Sequence, residues 1–91
     1  MATKQFHNWL RKFKSTGDIC PLRLGMTRED LRLSLGEPDL MGGLMGKHQV
    51  PCIWKYKEME FHFGPQKTDG LHLIYEEDEK GISIVVIKRF D

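Results

Sequence analysis

Apolar side chains at Phe6, Trp9, Leu10 and Phe13 recur at the i, i+3, i+4, i+7 spacing of one helical face, with Lys4, His7, Arg11 and Lys14 opposite. Thr3 is placed to cap the start, and Ser15-Thr16-Gly17-Asp18 supplies a stop, so residues 3–14 are predicted as an amphipathic helix. A second helix is written over residues 28–35. Thr27 is its N-cap, Asp30 imitates a capping box, and Met26 and Leu31 occupy the two positions of a hydrophobic staple. Gly36 stands where a left-handed residue ends a helix, and Pro38 forbids continuation.

From Glu37 to Pro51 no period survives. Pro38, Gly42, Gly43 and Gly46 break up Met41, Leu44 and Met45, so the segment reads as a long loop, with an extra strand within it as the alternative. The C-terminal half then alternates with period two. A two-residue turn at Lys57-Glu58 sets Tyr56 opposite Met59, Trp54 opposite Phe61 and Cys52 opposite Phe63, with Lys55 facing Glu60 on the other side. Lys-Glu is poor chemistry for a type I′ turn, so this register rests on the pairs.

A second hairpin through residues 64–70 sets Phe63 opposite Leu71, Phe61 opposite Leu73 and Met59 opposite Tyr75. A third, through the acidic turn 76–81, sets Tyr75 opposite Ile82, Leu73 opposite Ile84 and Leu71 opposite Val86. One row, Trp54, Phe61, Leu73, Ile84, then crosses four strands, and a one-residue slip in any hairpin would destroy it. The predicted fold is α+β: two N-terminal helices packed on one face of a four-stranded antiparallel β-meander.

Length and charge narrow the function. Ninety-one residues make one domain, 1–91, with a single modest core. The 14 basic and 13 acidic residues leave a net charge of +1, which argues against a dedicated nucleic-acid binder. Residues 1–36 hold 7 basic and 3 acidic side chains and residues 37–91 hold 7 and 10, a split suited to steering protein contacts. No apolar run approaches a membrane span, and no apolar h-region follows Met1. Cys20 and Cys52 are too few for a stapled secreted domain, so a cytoplasmic protein with reduced thiols is expected.

Chemistry-bearing motifs are sparse. On the far sheet face this register sets His62 directly opposite His72, between Ile53 and Val85; two imidazoles fall short of the three or four ligands zinc takes. His48 and Cys52 lack a matching second half, and neither cysteine has an electropositive neighbourhood, so packing roles are expected for both. No phosphate loop, nucleophile elbow or HExxH signature is present, so no catalytic residue, cofactor or metal is assigned.

The last strand, roughly 82–90, is apolar on both faces at Ile84 to Ile87 yet lies at an edge. It needs a cover, such as residues 22–24, or a strand from a second copy or a partner. Ile53, Ile74 and Val85 add an apolar patch on the far face.

The stretch Leu24-Gly25-Met26-Thr27-Arg28-Glu29-Asp30-Leu31, with Leu35-Gly36-Glu37-Pro38 after it, resembles the "LGMT…LG.P" signature of the SmpA/OmlA family of small bacterial lipoproteins. It also resembles the repeat unit of the β-lactamase-inhibitor-protein fold. Ile53-Trp54-Lys55-Tyr56 and Glu60-Phe61-His62-Phe63 are similar to small bacterial proteins of unknown function, some carried on mobile gene cassettes. The similarity covers about residues 22–75. It implies a scaffold that presents a protein-binding sheet and loop; with no acylated N-terminal cysteine, it does not imply a lipoprotein's membrane role.

The expected function is a non-enzymatic protein–protein interaction module of inhibitor, immunity or adaptor type. Its partner is another protein or a second copy, not nucleic acid or membrane. Met41, Leu44, Met45 and His48 of the loop, with Ile53, His62, His72 and Val85 of the open face, are the expected contacts. The alternative is a small-ligand binder or minor enzyme with a pocket between the loop 37–51 and the sheet, lined by Trp54 and Tyr56.

Overall fold

The computed structural model describes residues 3–43, 50–77 and 80, and residues 83–88 as backbone. Helix α1 spans Lys4–Thr16 and α2 spans Arg28–Leu35. The strands are β1 (Leu40–Gly42), β2 (Ile53–Tyr56), β3 (Met59–Phe63), β4 (Leu71–Glu77) and β5 (Ser83–Lys88). They form one antiparallel sheet in chain order. The α+β class and the β2–β5 meander stand as predicted. The addition is β1, an edge strand drawn from the segment read mainly as a loop.

The helix ends are held by the residues the sequence marks. The Thr3 side chain accepts from the Phe6 N–H at 3.0 Å and its hydroxyl donates to the Leu35 carbonyl, tying the start of α1 to the end of α2. Gly17, left-handed at φ 76°, closes α1 two residues later than expected, its N–H on the Phe13 carbonyl. Thr27 accepts from the Asp30 N–H at 3.0 Å. Gly36 has φ 82°, and a Cβ there would stand 2.5 Å from Thr3 Cγ2, so both backbone and space require glycine.

Both helices cover one face of the sheet. Phe6 stacks on Tyr56 with ring centroids 5.3 Å apart, and Trp9 tilts onto Phe61 at 5.7 Å. Leu22, Met26, Leu31 and Leu35 close the layer over Trp54, Met59, Phe63, Leu71 and Ile74. Each of these side chains contributes on the order of 1.5–3 kcal/mol on burial. Among the described residues no helix is long and apolar enough to cross a membrane.

The β2–β3 hairpin has the predicted register: Trp54 opposes Phe61, Lys55 opposes Glu60 and Tyr56 opposes Met59. Lys57 takes φ 53° in the turn, and its N–H binds Asp39 Oδ2 at 2.8 Å, a tertiary contact that compensates for unfavourable turn chemistry.

The next two hairpins depart from prediction. Phe63 opposes Leu71 as expected, but His62 opposes Leu73, so His72 is an extra residue, a β-bulge. Beyond it the alternation is inverted. Phe61 opposes Ile74 rather than Leu73, and Met59 opposes Glu76 rather than Tyr75. A second shift passes over Val86, so that Ile74 opposes Ile87 and Tyr75 opposes Val85.

The inner row is therefore Met41, Trp54, Phe61, Ile74, Ile87, and the predicted row through Leu73 and Ile84 is corrected. Ile74, expected on the far face, is fully buried in the core. Leu73 and Tyr75 are half-buried instead. The pairings of Tyr75 with Ile82, Leu73 with Ile84 and Leu71 with Val86 fall with them. Leu22 lies in the core, and Gly25 and Met26 hydrogen-bond the backbone of Leu71. A Cβ on Gly70 would fall on the Gly25 carbonyl, which explains the glycine there.

Candidate functional site: the open sheet face and the Arg28 corner

Two register rows cross the face opposite the helices. One runs Leu40, Lys55, Glu60, Tyr75, Val85 and the other Gly42, Ile53, His62, Leu73, Lys88. The face is a mosaic of apolar and ionisable groups. Lys55 and Glu60 face each other as predicted, but the Lys55 ammonium binds Glu77 Oε2 at 2.8 Å, which raises its pKa. Glu60 Oε1 lies 3.2 Å from His62 Nε2, and the Tyr75 ring meets the His62 ring edge-on at 4.6 Å. Burial pushes the His62 pKa below its ordinary value, against the upward pull of Glu60.

The direct His62–His72 opposition is a correction, because the bulge inserts His72 between Leu71 and Leu73 and sets Leu73 across from His62. Among the described residues no group of three or more His, Cys, Asp or Glu can hold a metal ion. Both cysteines are free. Cys52 is buried as expected, whereas Cys20 is exposed rather than packed, and its hydrogen bond with Asp18 raises the thiol's pKa.

Arg28 organises the other end of the molecule. The residue is 7% exposed, and its guanidinium donates to the carbonyls of Pro51, Gly64, Gln66, Lys67 and Asp69 at 2.7–3.3 Å. It also lies 4.8 Å over the Phe63 ring. One side chain thus joins the start of α2 to the approach to β2 and to the β3–β4 connection. Desolvation lowers its pKa, and it holds its charge through this cage of carbonyl oxygens. Sequence reading missed this role. The available signal was a cation at the first position of a helix, where the dipole disfavours one.

Beside Arg28 lies a cavity of about 400 Å³ whose apolar wall is Met41, Val50, Pro51 and Trp54. Glu29, Arg32 and Lys67 line its polar side. The Arg32 guanidinium sits 5.0 Å over the Trp54 ring and bonds Glu37 at 2.7 Å. The Trp54 indole N–H is buried with no hydrogen-bond acceptor, a state that costs about 1–3 kcal/mol. Tyr56 does not line this cavity. It is fully buried, and its hydroxyl donates to the Gly36 carbonyl at 2.6 Å.

Of the expected contact residues, Met41 lies on edge strand β1, 46% exposed beside Leu40 at 66%. Ile53 and His62 are neighbours on the open face, and His72 is the bulge residue at its margin. Val85 holds a register position opposite Tyr75. Leu44, Met45 and His48 lie outside the described residues. Together these elements define a two-layer α+β domain with one sheet face covered by helices and one that no described element covers. Comparisons of the chain with protein-family models, curated proteins and solved structures find no match.

Proposed function

We propose that this chain is a non-enzymatic protein-binding module, of inhibitor, immunity or adaptor type, that meets its partner with the open face of its sheet. The observation that carries this reading is the mosaic on that face. Ile53, Leu73 and Tyr75 stand among the Lys55–Glu77 and His62–Glu60 pairs, with no described element covering them. Protein interfaces combine an apolar centre with satisfied polar groups in this way, and an aromatic such as Tyr75 is a favoured anchor. The fitting partner is another protein whose surface offers apolar contact flanked by both signs of charge.

Affinity capture from the native host with wild type, Ile53→Glu, Leu73→Glu and, as control, Lys12→Glu on α1 tests the reading. The partner is expected with wild type and K12E and lost from both sheet variants, all four folding alike. Retention by the sheet variants contradicts the reading. So does a chain that captures nothing and runs as a monomer in light scattering. A dimer abolished by I53E would replace the foreign partner with a second copy.

A further inference from the structure

We propose that the cavity between α2, β2 and residues 50–51 is a binding site for a small apolar organic anion. Two independent features of the site agree on that class. Its volume, about 400 Å³, lies in the range of small-molecule sites, and Met41, Val50 and Pro51 with the Trp54 ring give it a hydrocarbon wall.

The charge around the cavity is also one-sided: Arg28, Arg32 and Lys67 against Glu29 alone. Arg28 is saturated by carbonyl oxygens, and Arg32 is engaged by Glu29 and Glu37. Lys67 is exposed and has no ion-pair partner among the described residues, so it is the cation free to meet a ligand's charge. A hydrocarbon or ring body against the wall, with its anionic head toward Lys67, supplies the negative charge that the site lacks. The site lies on the helix-covered side of the sheet, so the proposal stands or falls separately from the protein-binding reading.

The test is a fluorescence titration of the full chain with 1-anilinonaphthalene-8-sulfonate, competed by octanoate and by octanol. Saturable binding is expected, displaced by octanoate and at least about tenfold less well by octanol, which has the chain without the charge. Met41→Glu puts a carboxylate on the apolar wall at a half-exposed position, and Lys67→Glu reverses the free charge at an exposed one. Each is expected to weaken binding about tenfold while leaving the cooperative unfolding transition in place. The proposal is overturned by no saturable binding up to about 1 mM probe, a weak limit for any specific site. Equal affinity in both variants, or equal competition by octanol, overturns it as well. Should M41E unfold, K67E alone decides.

Discussion

Trp54 and Lys55 are neighbours in β2, yet the first is 2% exposed beneath Arg32 of α2 while the second projects onto a face that no described element covers. The same contrast runs along β2, β3 and β4. On the inner face, rings and aliphatics are held by two helices whose own apolar stripes have nowhere else to go. On the outer face, comparable area is filled by ion pairs, a histidine and scattered hydrophobes. The comparison teaches that the buried core lies on one side of the sheet and the proposed recognition surface on the other, so substitutions on the two sides should have different consequences.

The largest effect is expected on the inner face. Phe61→Ala removes the ring against Trp9 and Tyr56 and should cost about 3–5 kcal/mol in denaturant titration, a large share of the stability of so small a domain. A loss below 1 kcal/mol would break the comparison at its root. Arg28→Met deprives five carbonyls of their donor and should cost about 1.5–3 kcal/mol. Gly70→Ala drives a methyl group into the Gly25 carbonyl and should cost about 1–3 kcal/mol, with hydrogen exchange accelerated first at Gly25 and Leu71.

The outer face should yield smaller effects. Its pH response comes from His62, whose burial favours the neutral ring. The unfolded chain binds the proton more readily, so stability is full above the ordinary pKa of 6.5 and falls as pH drops through that value toward the lowered folded pKa. His62→Gln should flatten this part of the stability–pH curve; an unchanged slope would mean that another group produces it. Leu73→Ser should be the mildest, within about 0.5–1 kcal/mol of wild type, because the side chain is only half-buried.

Much of this division was legible in the sequence, and the place where reading failed has a physical cause. Thr3, Thr27, Gly17 and Gly36 mark helix ends by chemistry that acts within a few residues, and each does what its spacing implies. The β2–β3 register was legible because a two-residue turn leaves no room for a slip. The run Leu71-His72-Leu73-Ile74-Tyr75 is different, because it offers an apolar inner set in either register. An unbulged strand would bury Leu73 and Tyr75, and the phenol would need a buried partner.

The bulge at His72 buries Ile74 instead and leaves Tyr75 at the surface beside His62. Leu71 is fixed before it by hydrogen bonds with Gly25 and Met26, and the connection leading in is held by Arg28. Those constraints come from residues more than 35 positions away, beyond the reach of any local pattern. The same holds for the candidate sites. Ile53 and His62 could be assigned to the open face from alternation alone, and Trp54 to a pocket beside residues 37–51, whereas Leu73, Tyr75 and the charged rim of Arg28, Arg32 and Lys67 follow only from tertiary placement.

The central claim is this inverted alternation after His72, which decides which side chains belong to the core and which to the outer face. Cross-strand nuclear Overhauser contacts between backbone protons of β3 and β4 test it most directly. Contacts linking His62 to Leu73 and Phe61 to Ile74 are expected. Contacts linking His62 to His72 and Phe61 to Leu73 would restore the uninterrupted ladder and contradict the assignment of both faces.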